Sequence, residues 1–366
     1  MMALCILVSV LYAGMITGLF LFVFEPANQK KKIKQDRKRF SVVVAARNEV
    51  NTIEECISSL VNQVYPSDCF EIIVVDDHST DGTFDKIGKM PGIKAISLVK
   101  ETGKKAALAE GIACAKHEYI AVTDADCIVS RQWLEALNFA FNQKQADLVT
   151  GPVRVSPCDQ SISAFEAMDA AIMMKVTAFG IHHQSYFLAN GANMAFSKKS
   201  YQEMGGYQNH QQYASGDDVF LFAEASRLGL VIGYAGQKEA MVTTRPQVNF
   251  KALMNQRKRW ATKTRAYAGR AIWLIQAMVA VTNLCLLCML LLGFLYPEAW
   301  KGFLLLIAVK WAIDFVALWK ATGWQNNRQA MKYFLQGQLI YLYIILFSAW
   351  HALFPGQYEW KGRAVK

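Results

Sequence analysis

The stretch Thr123-Asp124-Ala125-Asp126-Cys127 closes the apolar run Tyr119-Ile120-Ala121-Val122. Such a run reads as a short buried strand. Carboxylates two residues apart at a strand end lean to the same side. Side by side they repel, and a hard divalent cation relieves the repulsion. Mg2+ takes one or two protein carboxylates and fills its shell with water and phosphate oxygens. The pattern predicts half of a metal site facing a diphosphate. An ordinary acidic turn satisfies the same pattern, so the neighbouring segments decide.

Upstream the chain alternates between strand and helix patterns. Phe40 to Ala45 is a buried-strand run, and Asn51 to Leu60 reads as a helix with Asn51 or Thr52 as its cap. Phe70 to Val75 is a second strand, ending in Asp76-Asp77. Ile93 to Val99 is a third, Lys104 to Lys116 a helix, Tyr119 to Thr123 a fourth strand and Asp147 to Val155 a further one. This alternation predicts a mostly parallel α/β sheet, which binds ligands beyond the carboxyl ends of its strands. Arg47, Asp76, Asp77, Asp124 and Asp126 fall just past such ends and point to a nucleotide pocket.

Outside this middle region the composition changes. The chain has 366 residues, is 53% hydrophobic and carries 19% charge. Its mean hydropathy of +0.16 is high for that much charge, because apolar residues gather at both ends. Met1 to Phe24 contains no charge and is long enough to span a bilayer. It lacks the basic start and small-residue exit of a cleaved signal, so an uncleaved anchor is expected. The block Lys30, Lys31, Lys32, Lys34, Arg37, Lys38 and Arg39 should stay cytoplasmic and hold the middle domain there. The net charge of +10, concentrated beside apolar segments, suits membrane lipids and not nucleic acid.

Ser161 to Phe179 is amphipathic and Met-rich: a helix against the membrane or a core helix. Lys251 to Arg270 is a basic helix candidate, followed by apolar spans at Ala271 to Tyr296, Gly302 to Trp319 and Tyr333 to Phe354. Four spans would leave Lys361, Arg363 and Lys366 outside, against the usual bias. Lys310 and Asp314, four apart in an apolar run, are placed to pair. The eight cysteines show no disulfide spacing, and Cys285-x-x-Cys288 lies in an apolar run where lipid-buried thiols are expected. His182-His183 has no acid or cysteine neighbour and reads as surface or interface.

With its segments in this order, the chain resembles the family 2 glycosyltransferases, the inverting GT-A enzymes, and most of all their membrane-bound branch of cellulose, chitin and hyaluronan synthases. The resemblance runs from about Phe40 to Thr264 and rests on six segments: Ala46-Arg47-Asn48-Glu49, Val75 to Thr83, Gly103 to Leu108, Thr123-Asp124-Ala125-Asp126, Ser215-Gly216-Asp217-Asp218, and Gln256-Arg257-Lys258-Arg259-Trp260. The last, Gln-x-x-Arg-Trp, is the most discriminating.

The resemblance implies a GT-A domain flanked by transmembrane helices. The expected division is an anchor over 1–25, the GT-A domain over 39–250 and the basic interfacial helix over 251–270. A transmembrane region of about three spans over 271–355 and a tail over 356–366 follow. Location in a bacterial inner or plasma membrane, with a cytoplasmic catalytic domain, is expected. Arg47, Glu49, Asp76 and Asp77 would bind base and ribose, and Lys104 and Arg259 would meet the diphosphate. Asp124 would face the nucleotide, and Asp126, helped by Asp124, would hold Mg2+ or Mn2+. Asp218, supported by Asp217, would be the base that takes the acceptor proton, since a carboxylate beside another holds a proton more readily. The same two acids also suit the start of a helix over Val219 to Leu228. Gln256, Trp260, Asn190 and Gly191 would line the acceptor side.

The implied reaction moves a hexose or N-acetylhexosamine from a UDP-sugar to a membrane lipid or growing glycan. A sugar-nucleotide-binding scaffold and a polyprenyl-phosphate sugar synthase are the alternatives; Gln-x-x-Arg-Trp argues against the second. Without a Gly-x-Gly-x-x-Gly after a strand, a dehydrogenase is disfavoured.

Overall fold

The structure, a computed structural model, describes residues 1–21, 36–156, 159–184, 190–207, 217–261, 270–353, 358–360 and 363–365. The basic block Lys30 to Lys34, the Ser215-Gly216 pair, Thr264, Lys361 and Lys366 lie outside them.

The chain opens on α1 (Met2–Leu21), then runs β1 (Phe40–Ala46), α2 (Ile53–Val61), β2 (Phe70–Asp76), α3 (Thr83–Gly88), β3 (Lys94–Ser97) and α4 (Lys104–Ala113). Next come β4 (Tyr119–Asp124), β5 (Ile128–Val129), α5 (Trp133–Lys144), β6 (Leu148–Thr150), β7 (Val153–Val155) and α6 (Ser161–His182). After these stand β8 (Met194–Ser197), α7 (Lys198–Glu203), α8 (Asp217–Leu228), β9 (Ile232–Tyr234) and β10 (Val242–Thr244). The last long helices are α9 (Phe250–Ala261), α10 (Arg270–Gly293), α11 (Ala299–Trp324) and α12 (Phe334–Leu353).

Two compact units divide these elements. The first holds Glu25–Arg154, Phe187–Arg245 and Val365–Lys366, the second Met1–Phe24, Val155–Tyr186 and Pro246–Ala364. The first is a mostly parallel α/β unit built on a seven-stranded sheet of order β3-β2-β1-β4-β8-β6-β9. β1 lies between β2 and β4, parallel to both. Its Phe40, Val42, Val43, Val44 and Ala46 are buried, as an inner parallel strand with both faces covered requires. β8 runs antiparallel to both β4 and β6, so the sheet is mixed at this point.

Residues 147–155 depart from the expected single strand. They form β6 and β7, which belong to different sheets. Pro152 between them offers no N–H to a ladder. Gly151 is hemmed in as well, since an added Cβ would stand 2.5 Å from Asn193 Nδ2. Thr52 caps α2, one of the two residues expected to, but its side chain makes no capping bond. Its hydroxyl donates instead to Glu49 Oε2 at 2.7 Å.

The second unit is helical. Four of its helices are long and apolar enough to cross a membrane, over Met2–Phe20, Ala271–Gly293, Ala299–Trp324 and Arg328–His351. α1 packs closely on α11, where a Cβ on Gly302 would stand 2.7 Å from Cys5 Sγ. The expected Lys310–Asp314 pair forms, at 2.5 Å. Lys310 Nζ also donates to Gln338 Oε1 at 2.7 Å, and Tyr12 Oη donates to Asp314 Oδ1 at 2.6 Å. These bonds tie α1, α11 and α12 together through buried polar groups. Lys175 of α6 lies over the Trp324 ring at 4.3 Å, and Met168 packs with Ala330, Met331 and Phe334. Ser161–His182 is thus a helix packed against other helices, ending in His182 and His183, which are exposed.

Candidate active site

The site of the α/β unit is built on the carboxyl ends of β2, β1 and β4. The register pairs Ala46 with Asp76 on one side and Ala45 with Asp124 on the other. The two acids therefore flank β1, two strand spacings or about 10 Å apart.

On the β2 side Asp76 and Asp77 are both buried, 2% exposed. Asp76 Oδ2 accepts from the Ser79 N–H at 3.0 Å. Its Oδ1 is buried and has no hydrogen-bond partner among the described residues. A buried acceptor left open is costly unless a ligand donor meets it. Asp77 Oδ1 accepts from the Gly103 N–H at 2.9 Å, and Arg47 Nη1 donates to the Asp77 carbonyl at 3.0 Å. Arg47 also approaches Asp77 Oδ2 at 3.5 Å. These contacts gather the loop after β1, the end of β2 and the start of α4. Asn48 adopts φ 52° and accepts from the Thr80 N–H at 2.9 Å, bracing the loops after β1 and β2.

Asp81 is a brace too: it accepts from the Val50 N–H at 3.1 Å and from the Thr83 N–H and hydroxyl at 3.0 and 2.5 Å. Burial works to raise its carboxyl, but these bonds outweigh that and hold it below the usual range. Glu49 is engaged by Thr52, and its N–H donates to Thr83 Oγ1 at 2.8 Å.

On the β4 side Lys104, the first residue of α4, places Nζ 2.7 Å from Asp124 Oδ1. Its side chain is 22% exposed and that of Asp124 is 34% exposed, so a solute can reach both. The neighbouring Lys105 turns away, with Nζ over the Phe220 ring of α8 at 5.1 Å. Asp124, Asp126 and Cys127 each present one ligand atom within 4.8 Å of the others. Cys127 is 1% exposed, and burial first, then the two acids, push its thiol up. A protonated soft thiol does not suit a hard cation, whereas the two carboxylates do. The donor set therefore fits Mg2+ or Mn2+ bound by Asp124 and Asp126.

The expected base and acceptor loop meet. Asp218 Oδ2 accepts from the Gly191 N–H at 2.9 Å, and its Oδ1 accepts from the Val219 N–H at 2.8 Å. Asp217 and Asp218 open α8, which joins the catalytic and helix-start expectations in one place. The side chain of Asp217 lies outside the described residues. The Asn190 carboxamide accepts from the Ala192 N–H at 3.1 Å and shapes the loop. β8 pairs antiparallel with β4 in the register Val122–Met194. Residues 190–193, just ahead of Met194, are thereby delivered to the strand end where Asp124 stands. The carboxylate of Asp218 is drawn to that same edge.

The sequence did not single out Asn193. It is fully buried, accepts from Trp133 Nε1 at 2.9 Å and donates to the carbonyls of Pro152 and Ala240 at 2.8 Å. It anchors the loop that reaches Asp218, and its only sequence signal was its place in Asn-Gly-Ala-Asn. In the helical unit Gln256, Arg259 and Trp260 lie on α9, with Trp260 40% exposed and Gln256 Oε1 buried without a partner among the described residues.

A mostly parallel sheet with acids, a lysine and a candidate metal pair at its strand ends defines a GT-A-like α/β domain. Residues 41–205 match the family described as Glycosyl transferase family 2, so this stretch is a glycosyl transferase family 2 domain and the chain carries a glycosyltransferase domain. The chain is 26% identical over 199 residues to the Glycosyltransferase AglE of Haloferax volcanii, covering 53% of this chain and 64% of that one. It therefore spans just under two thirds of the length of that relative. It is 23% identical over 382 residues to the 4,4'-diaponeurosporenoate glycosyltransferase of Staphylococcus aureus, covering 98% of this chain and 96% of that one. Among solved structures it is similar to the mannosyltransferase PcManGT of Pyrobaculum calidifontis in complex with GDP-Man and Mn2+. That likeness has a TM-score of 0.49 at 18% identity and covers 96% of each chain.

Proposed function

We propose that the protein is a membrane-bound inverting glycosyltransferase that moves a hexose or N-acetylhexosamine from a UDP-sugar to a membrane lipid or growing glycan. The observation that carries this reading is the β4–β8 register, which sets the Asp218-bound loop at the strand end bearing Asp124. One edge of one unit then holds both what a departing diphosphate needs and what an acceptor hydroxyl needs.

In this reading Asp76, Asp77, Arg47 and Glu49 serve the nucleoside. Lys104 releases Asp124 and turns its charge to the diphosphate, a point charge that needs no fixed fork geometry. A divalent ion held by Asp126 and Asp124 would neutralise the charge that grows on the leaving group. Asp218 takes the acceptor O–H proton. The acceptor oxygen forms its bond to the anomeric carbon on the face opposite the diphosphate, and the C–O bond to UDP breaks with its electron pair leaving on UDP. The backbone donors Gly191 and Val219 keep the carboxylate aimed. Asp217 supports it as the neighbouring acid.

Gln256, Arg259 and Trp260 are proposed, from the motif, to serve diphosphate and acceptor, in keeping with the branch of cellulose, chitin and hyaluronan synthases. A lipid acceptor is favoured over a long glycan, because four candidate spans are few for a channel and a relative aligned over nearly the whole chain is named for glycosylating 4,4'-diaponeurosporenoate. The cytoplasmic face of a bacterial inner or plasma membrane, where activated sugars are made, is the proposed location.

The test is nucleotide release by the purified full-length protein with a panel of UDP- and GDP-sugars and membrane-lipid acceptors, with and without Mn2+. Turnover with a UDP-sugar, abolished in Asp218→Asn and by chelation, is expected. Turnover with GDP-sugars alone would overturn the donor assignment, and none with any donor would favour a sugar-nucleotide-binding scaffold.

A further inference from the structure

Within the helical unit, α9 carries a charge in the middle of its buried stripe. Leu253, Arg257 and Ala261 are the buried residues of this helix. Spaced by four, they fall within about 80° of one another around the axis. Leu253 packs with Phe165 and Ile344, as an apolar stripe should. Arg257 occupies the next position, where that pattern calls for an aliphatic side chain. Its guanidinium meets Asp169 of α6 at 2.7 Å, with the two side chains 9% and 15% exposed. It also lies between two rings, 5.7 Å from the centroid of Phe165 and 4.5 Å from that of Trp260. Glu166, one turn before Asp169, accepts from the Gln247 N–H at 2.8 Å and so fixes the segment leading into α9. Burial pushes the Glu166 carboxyl up, against the pull of that bond and of Arg257.

A buried ion pair adds little net stability compared with apolar residues of the same size. What it adds is direction. An apolar stripe tolerates small rotations and slides against α6, whereas a paired guanidinium stacked on an indole does not. Gln256, Arg259 and Trp260 occupy the adjoining arc, about 240–340° around from Leu253. Fixing Arg257 therefore fixes the direction of all three, and the Trp260 ring is held by Arg257 itself.

We propose that the Arg257–Asp169 pair is a positioning device that sets the rotation and axial register of the Gln-x-x-Arg-Trp face, acting on glycosyl transfer without touching substrate. The link to transfer rests on the function proposed above; the effect on helix setting does not.

The test uses full-length protein in lipid nanodiscs and a donor that the unaltered protein turns over. The variants are Arg257→Met with Asp169→Leu, the charge reversal Arg257→Asp with Asp169→Arg, and Asp169→Asn. Asn255, exposed on the far side of α9, carries a nitroxide as Asn255→Cys in each background, with Cys69, Cys114, Cys158, Cys285 and Cys288 replaced by serine so that this thiol alone is labelled. The apolar double variant is expected to unfold at or above the temperature of the unaltered protein. Its kcat should nonetheless fall about 10–100-fold with donor KM changed less than about 3-fold, the scale of a misplacement near 1 Å. Its nitroxide spectrum should split into two components where the parent shows one, and the charge reversal should recover part of the kcat. Parent-like kcat and a single-component spectrum in the apolar variant would overturn the proposal. So would kcat losses that track lost thermal stability across all three variants. If the unaltered protein turns over no donor, the function proposal fails and the nitroxide spectra still decide on the positioning.

Discussion

Lys104–Asp124 and Lys310–Asp314 are both lysine–aspartate pairs, 2.7 and 2.5 Å long, in opposite surroundings. In the α/β unit the two side chains are 22% and 34% exposed; in the helical unit they are 3% and 10% exposed. The second pair is also closed, with Gln338 on the lysine and Tyr12 on the aspartate. Contact distance alone does not separate a site from a staple. The difference lies in access: water, phosphate or a cation can compete for the first pair, and nothing polar reaches the second without unpacking helices. Charges kept reachable at strand ends fit chemistry, and charges sealed between apolar helices fit assembly.

The sharpest way to break this contrast is Asp218→Asn. The carboxamide oxygen still accepts from Gly191 or Val219, so the fold should hold, while loss of the base lowers kcat by about 10²–10⁴-fold. Activity within a factor of two of the parent would remove Asp218 from the chemistry. In the helical unit, Asp314→Asn leaves a buried lysine without its counter-charge and should destabilise by about 3–5 kcal/mol, read from unfolding in detergent. Lys310→Met with Asp314→Leu should recover most of that loss. A destabilisation as small as that of a surface pair would refute the sealed-staple reading.

Lys104→Met tests the reachable pair. Stability should change by less than about 1 kcal/mol, as for partly exposed pairs. Donor KM should rise about tenfold if Lys104 supplies roughly one charge-assisted phosphate contact. An unchanged KM in titrations against donor would remove Lys104 from the diphosphate.

A smaller effect follows acidification. Burial works to raise the Glu71 carboxyl, but bonds from Ser41 Oγ at 2.5 Å and the Lys116 N–H at 2.7 Å hold it below its ordinary 4.5. A carboxyl depressed in the folded state contributes stability above its unfolded value and loses it as pH falls through the folded one. Melting temperature should therefore drop below about pH 4.5, and Glu71→Gln should flatten that slope. Smallest of all, Arg245→Ala breaks the exposed 2.7 Å pair with Glu55, whose side chains are 47% and 57% exposed, and should shift stability by about 0–1 kcal/mol.

Most of the strand-end cluster was legible in the sequence because it obeys a local rule. An apolar run that ends in an acid puts that acid at the end of a buried strand, and Asp76 and Asp124 each follow such a run. The Lys310–Asp314 pair was legible for a similar reason, since two charges one helical turn apart in an apolar run have few other partners. The split of residues 147–155 could have been read from Pro152, which cannot join an inner ladder. Two features had a place in a motif but no local signal for their role. Asn193 looks like any loop asparagine until Trp133, Pro152 and Ala240 surround it. Arg257 looks like one more cation of a basic helix until α6 brings Asp169 to it.

The sequence by itself determined which residues end strands, which helices are apolar enough for lipid, and where two carboxylates stand side by side at a strand end. Those properties depend on neighbours within a few positions, where backbone geometry is fixed. Only the tertiary structure decided that β8 enters the sheet antiparallel beside β4 and so carries the Asp218 loop to Asp124. The same holds for the choice of which cation on α9 is buried. Both depend on packing between segments dozens of residues apart, which no local pattern of side chains specifies.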